Sequence, residues 1–273
     1  CTKIMKFITT NHQGGLCNVM FKLAASISLA IDNNVDYVFS NEFIRQLDKD
    51  VVCDGFDDYR IYYNNVLRNI KFIDRLPSSY RTHNEPATFN YSPIFYSGNE
   101  NLLLQGYYQS EKYFINNKQF ILDLYKPTEE IKKHIIQNVS NIQNSISIHV
   151  RRGDYLKLSN YHPQQPIDYY KSAVNILGAD KNYVIFSDDI DGTKDMFDFI
   201  PNKQFITLGK NYLDLYSMSL CEHNIICNST FGLWGAYLNE NKNKKIIAPN
   251  LWFGPSASHL NVSDVIPNNW IKL

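Results

Sequence analysis

From residue 145 to the C-terminus, short apolar runs alternate with amphipathic stretches, and that alternation restricts the fold more than any other feature. Candidate strands fall at 145–150, 183–187 (Tyr-Val-Ile-Phe-Ser), 204–208, 224–228 (Asn-Ile-Ile-Cys-Asn) and 245–248 (Lys-Ile-Ile-Ala). Candidate helices at 167–178, 190–199, 211–219 and 231–240 separate them. Strand and helix taking turns predicts a parallel, doubly wound α/β domain. Ligands of such sheets bind beyond the carboxyl ends of the strands, where the strand order reverses.

The first of these strands carries the most chemistry. Ile146, Ile148 and Val150 alternate with Ser145, Ser147 and His149, as in a strand with one apolar face. The strand runs directly into Arg151-Arg152-Gly153-Asp154. Two guanidiniums at a strand end suit a pyrophosphate, because the planar fork of arginine pairs with phosphate oxygens and keeps its charge at neutral pH. Gly153 allows a tight turn, and Asp154 can orient an arginine or hold a ligand hydroxyl. A salt-bridged arginine pair at a domain surface would use the same residues. The other strand ends collect polar groups too: Ser187-Asp188-Asp189, and Asn228 followed by Ser229-Thr230-Phe231. Ser229 and Thr230 open a helix, where they can cap it and also offer hydroxyls and N–H groups to an anion. Arg151, Asp188 and Ser229–Phe231 all follow strands of one sheet, so they are expected to share one crevice.

The first half contains one comparable unit. Ile4–Thr9 reads as a strand, Gln13–Asn18 as a glycine turn, and Val19, Leu23, Ala24, Ile27, Ala30 and Ile31 as one stripe of a helix. Val35–Phe39 is the next strand, which completes a βαβ unit. The Gly14-Gly15 loop could cradle a phosphate or simply tighten the corner. Loops are expected at Asp48–Asp50 and Asp54–Asp58, with a long excursion over 78–98. Gln105–Phe114 is aromatic and polar at once, suited to a sugar site or to packing. Pro127 and Thr128 start a helix running to about Ile142, taken as the end of an N-terminal α/β domain (1–142). A Rossmann-like domain (143–273) follows.

Composition excludes several classes. Lys+Arg and Asp+Glu number 27 each, so no global basic field points to nucleic acid or an anionic membrane. No apolar run reaches the length of a membrane span, and no charged-then-apolar leader opens the chain. The sequence begins at Cys1 rather than Met, which leaves room for a trimmed leader or anchor. Five scattered cysteines with no C-x-x-C pair suggest reduced thiols and a cytoplasmic setting, free or peripheral to a membrane. Sequons at Asn138, Asn228 and Asn261 match about the number expected by chance in so Asn-rich a chain. Asp189-Ile190-Asp191 spells D-x-D, a metal-binding signature of other sugar-nucleotide enzymes. The two arginines already supply the charge a metal would bring, so no metal is expected.

Taken together, these motifs resemble the α-1,2-fucosyltransferases of glycosyltransferase family 11 along nearly the whole chain. Gly14–Phe21 is similar to the family's G-G-L-G-N-Q-M-F loop, and His149–Asp154 to its H-x-R-R-x-D motif. Ser187–Asp189 resembles an S-D-D strand end, and Cys221–Leu238 resembles C-x-H-x-I-I-x-N-S-S-F-S-W-W-G-A-W-L. Gln105–Phe114 and Asp264–Leu273 also look like family segments. The resemblance implies a GT-B-like pair of facing Rossmann-like domains, the C-terminal one binding the nucleotide sugar. It also implies GDP-β-L-fucose as donor substrate, no metal or other cofactor, a glycan acceptor on the N-terminal side, and inversion at the anomeric carbon.

By position Arg151 would bind the β-phosphate, Arg152 and His149 would be more structural, and Asp154 would help hold the site. Asn18, Gly14 and Gly15 would face the donor. Ser229, Thr230 and Phe231 would contact the pyrophosphate, and Asp188 or Asp189 the nucleoside. Asp154, His12 and His149 are the chemical candidates for a general base. Cys17, Val19, Gly232, Leu233 and Tyr237 depart from the family pattern, and Val19 and Gly232 lose polar capacity, so donor-sugar or acceptor preference is expected to differ. Three alternatives remain open: another GDP-sugar, a protein acceptor, or a nucleotide-sugar or glycan binder that no longer transfers. Oligomeric state is not legible.

Overall fold

The computed structural model describes residues 6–12, 14–42, 59–76 and 79–273. The loops expected at 48–50 and 54–58 lie outside them. The chain forms two compact units, Cys1–Tyr125 with Asn261–Pro267, and Lys126–Leu260 with Asn268–Leu273. Both are α/β with parallel sheets, the expected fold class. The division falls at Tyr125 rather than at 142. The helix Glu129–Asn138 (α4), capped by Thr128 accepting from Ile131 N–H, packs against a helix of the second unit, Asn211–Ser219 (α6). Lys132 of α4 also reaches Glu240. The segment 261–267 returns to the first unit, where Asp264 accepts from Tyr91 N–H and pairs with Lys112 at 2.5 Å.

In the first unit, β1 (Phe7–Thr10), β2 (Asp36–Tyr37), β5 (Arg81–Asn84) and β6 (Leu102–Gln105) form a parallel sheet of order β2-β1-β6-β5. β3 (Phe39–Ser40) and β4 (Phe72–Ile73) pair separately. The expected helix is α1 (Leu16–Asp32), which starts three residues earlier than its apolar stripe and is almost wholly buried. Tyr59–Asn64 (α2) and Lys118–Tyr125 (α3) complete its α-helices among the described residues. Part of the long excursion is therefore ordered as strand β5. Its four polar residues pair in parallel with β6 through the backbone, and Arg81 adds an ion pair to Glu100 at 2.8 Å.

The second unit is a six-stranded parallel sheet of order β12-β11-β10-β7-β8-β9. Its strands are β7 (Ser145–Val150), β8 (Asn182–Ser187), β9 (Lys203–Phe205), β10 (His223–Ile225), β11 (Ile246–Ala248) and β12 (Ile271–Lys272). The chain lays strands outward on one side of β7 and then on the other, so the order reverses between β7 and β10. The helix expected at 190–199 is a 3-10 segment, Asp191–Phe197; its turn is tightened by Gly192 N–H donating to Asp189 at 3.0 Å.

All six residues of β7 are buried, not one face only, because helices cover both sides of a parallel sheet. One side holds an apolar cluster of Ile146, Ile148, Val150, Tyr183 and Ile185 with Tyr170, Ala173 and Val174 of α5 (Ile167–Leu177). On the other side lie α6 and α7 (Thr230–Tyr237); past its first two residues α7 is apolar all round, as befits a stretch buried from Gly232 to Tyr237. Gly235 of α7 lets the two helices close up, since a Cβ there would lie 2.5 Å from Met218 Cε. The side chains of Ser147 and Asn224 on this side of the sheet are satisfied internally. Asn224 Nδ2 donates to Ser147 Oγ at 2.7 Å and to Met218 O, and Asn239 Nδ2 donates to Asn224 Oδ1.

Candidate functional site

The residues after β7, β8 and β10 come together at the point where the strand order reverses. Arg151 leaves the end of β7 and its guanidinium is held from two sides. Asp154 Oδ1 lies 2.8 Å from Nη2 and 3.0 Å from Nε, and Asp188 Oδ2 lies 3.1 Å from Nη1. The Tyr155 ring lies 5.7 Å from the guanidinium carbon. Arg152 turns to different partners: Nε donates to Asp189 at 3.0 Å and Nη1 to Gln164 at 3.1 Å. The hydrogen bond from Arg152 holds the Asp189 carboxyl below the ordinary carboxylate range, with Gly192 N–H adding to the effect.

Asp188 also accepts the backbone N–H of Arg152 at 2.8 Å, so it braces both arginines. Gly153 makes that possible. A Cβ there would come within 2.4 Å of Asp188 Oδ2. Gly153→Ala is therefore expected to push Asp188 off Arg151 and weaken binding of a diphosphate ligand by about tenfold, the cost of one charged hydrogen bond. Calorimetric titration of GDP into the variant checks this.

The expected balance of charge is different. Three carboxylates, Asp154, Asp188 and Asp189, stand against two guanidiniums, so the arginines do not present a bare positive surface. Their carboxylates orient them instead. Among the described residues no group of three His, Cys, Asp or Glu side chains could hold a metal ion.

Beneath Arg151 lies His149, 5% exposed, with Cys227 Sγ 3.3 Å from its Nδ1 and the Phe231 ring 5.3 Å away. Burial, with Arg151 nearby, pushes its pKa down to about 3. An unfolded histidine takes up a proton below about pH 6.5, whereas this one stays neutral, so the unfolded state binds more protons between the two values. Stability is present above that window and lost as pH falls through it, at up to about 1.4 kcal/mol per pH unit. All three tryptophans (234, 252 and 270) lie in the second unit, so their fluorescence reports its unfolding. We expect the urea midpoint to fall from pH 7 to pH 5, with a shallower fall in His149→Phe.

Ser229 caps α7, its Oγ accepting from Phe231 N–H. Thr230 and Phe231 form the first turn, both partly exposed. Gly232 is closely packed, since a Cβ would lie 2.9 Å from Ile226 Cβ and 3.1 Å from His149 Nδ1. The residue that sequence reasoning undervalued is Asn228. It is 2% exposed; its Nδ2 donates to Pro163 O and Trp252 O, its Oδ1 accepts from Gln165, and its carbonyl accepts from Tyr155 OH at 2.9 Å. A sequon there cannot carry a glycan in the folded chain. Its place at the end of a read strand was a signal; its partners, tens of residues away, were not.

In the first unit, Gly14, Gly15 and Asn18 form a cluster of their own. Gly14 has φ +96°, in the region that favours glycine, and Gly15 is the N-cap of α1. Asn18 Oδ1 accepts from Gln109 Nε2 at 2.9 Å. Val19 is 1% exposed and Cys17 4%, so both departures from the motif face the core and not an open surface. His12 is 1% exposed, and burial together with Lys22 pushes its pKa down to about 3. Lys22, unnoticed in the sequence, is itself buried and donates to Asn11 at 2.9 Å. Cys17, Cys221 and Cys227 are free thiols.

The sequence pattern described as "Glycosyl transferase family 11" matches residues 2–273. The chain belongs to glycosyltransferase family 11. A curated relative, an α-1,2-colitosyltransferase of Escherichia coli, is 26% identical over 98% of this chain and 99% of its own length. The O-antigen biosynthesis glycosyltransferase WbnK of E. coli is 30% identical over 62% of this chain; the match spans 60% of WbnK. Among solved structures, the α-1,6-fucosyltransferase NodZ from Bradyrhizobium, co-crystallized with GDP, shares the fold. Its TM-score is 0.53 at 13% identity, over 85% of this chain and 92% of NodZ. This is a GT-B-like glycosyltransferase fold of two α/β units, and the family 11 member built on it has fucosyltransferase-like and colitosyltransferase relatives. No helix among the described residues is long and apolar enough to cross a membrane.

Proposed function

We propose that this family 11 member is an inverting, metal-independent transferase that moves L-fucose from GDP-β-L-fucose to a galactoside hydroxyl in α-1,2 linkage. One observation carries the reading: Arg151 is oriented by two carboxylates at the point where the sheet order reverses, beside the capped start of α7. Nε and one hydrogen on each Nη nitrogen point at Asp154 and Asp188, which leaves the other Nη hydrogens for phosphate oxygens. An acceptor hydroxyl attacks C1 of the sugar from the face opposite GDP. The bond from C1 to the β-phosphate oxygen breaks, and Arg151 stabilises the charge left on the diphosphate. The Ser229–Phe231 turn adds N–H and hydroxyl donors. His12 and His149 are buried and their pKa values are pushed down to about 3, which makes both weak bases, so of the three candidates Asp154 is the exposed one.

A donor carrying colitose is the second reading, favoured by the colitosyltransferase match along both whole chains. Mass spectrometry distinguishes the readings. The protein is incubated in EDTA with GDP-fucose, or with the colitose donor, and a panel of β-galactosides. Addition of fucose to a galactoside supports the first reading, and addition of colitose alone the second. Stabilisation by GDP without product from either donor would leave a non-catalytic binder or a different acceptor, such as a protein hydroxyl.

A further inference from the structure

The contact between Cys227 and His149 sits directly under the arginine site and has no part in the chemistry described so far. Both side chains are buried, at 1% and 5% exposure, and Cys227 Sγ lies 3.3 Å from His149 Nδ1. A thiol has one proton to give, and the acceptor within reach is the imidazole. With S–H donating to Nδ1, the thiol proton and the Nδ1 lone pair satisfy each other; with Nδ1–H donating to sulfur, the thiol proton has no acceptor among the described residues. The first arrangement places the imidazole proton on Nε2. That nitrogen has no protein hydrogen-bond partner among the described residues, although the ring is nine-tenths buried. The ring is also fixed in place: the Phe231 ring lies 5.3 Å from it, and α7 approaches so closely that a Cβ at Gly232 would lie 3.1 Å from Nδ1.

We propose that Cys227 is a positioning residue. Its thiol fixes His149 as the Nε2–H tautomer, a neutral hydrogen-bond donor to the diphosphate held beside Arg151. This rests on the nucleotide-sugar reading above. It gives the histidine of the arginine motif a specific duty, that of a donor which carries no charge and cannot act as a base through Nε2. Burial keeps the imidazole neutral and the thiol protonated, as the arrangement requires.

The test uses the whole chain labelled with 15N. Long-range proton–nitrogen spectra report the tautomer of each histidine, and the His149 signals are those lost in His149→Gln. The native protein is expected to show His149 as Nε2–H and neutral from pH 5 to 8. Cys227→Ala is expected to mix the tautomers and raise the Kd for GDP by about 5- to 10-fold, while Cys227→Ser, which keeps a donor, stays within about twofold. Guanosine, which lacks the diphosphate, should bind Cys227→Ala and the native protein alike. A native Nδ1–H or imidazolium form overturns the proposal. So does an unchanged GDP affinity in Cys227→Ala, or an equal loss for guanosine, which would mark a purely structural role. If the native protein binds no GDP, the proposed function fails and the donor role with it, while the spectra still decide the tautomer.

Discussion

Arg151→Ala is expected to lower the transfer rate by about 100- to 1000-fold, the usual cost of removing one preorganised donor from a developing charge. The loss should appear in kcat as well as in donor affinity, because the diphosphate carries more charge as the bond to the sugar breaks. Arg151→Lys is not expected to rescue it. A lysine ammonium cannot hold Asp154 and Asp188 on separate edges and still offer a planar pair of N–H groups to phosphate. Removing the arginine also leaves those two carboxylates facing each other, so part of the effect is repulsion of the ligand. Arg152→Ala should cost less, since its guanidinium is directed at Asp189 and Gln164. Steady-state kinetics on the three variants would show this ranking.

The second large effect is on stability. Asn228→Ala is expected to destabilise the second unit by about 3–5 kcal/mol, because truncation leaves several buried partners unmatched and opens a cavity. The carbonyls of Pro163 and Trp252 lose a donor, and Gln165 loses an acceptor. Asn228→Asp has nearly the same shape but turns an acceptor toward those two carbonyls, and should be at least as harmful. Urea denaturation followed by tryptophan fluorescence reads the change in this unit alone. A loss under 1 kcal/mol in Asn228→Ala would show that the network is not what joins the loop before α5 to the end of β10.

The second unit was legible in the sequence because its elements obey local rules. Apolar runs of four to six residues and stripes of period 3.6 can be read without knowing what they pack against. The motif at Arg151 stood out for the same reason, and the reversal of strand order that gathers Asp188 and Ser229 around it follows from the βα alternation. The first unit obeys those rules less. β5, Arg-Thr-His-Asn, has no alternation and is held by parallel backbone pairing with β6. The unit boundary was misplaced by proximity in sequence: α4 precedes β7 closely, but its companions, α6 and Glu240, lie far along the chain. The duties of the charged residues were equally hidden. The family resemblance implies Asp188 or Asp189 for the nucleoside; that Asp188 also braces Arg151 and the Arg152 backbone is visible only once the fold brings these together.

The central claim is that the arginine-bearing crevice of this family 11 chain uses a GDP-sugar to modify a glycan hydroxyl. The most direct measurement is mass spectrometry of β-galactosides incubated with native protein or Arg151→Ala, GDP-fucose and excess EDTA. We predict one deoxyhexose added by the native protein and none detectable with the variant over the same time. Equal product from both proteins, or no product together with no stabilisation of the native protein by GDP, would contradict the account.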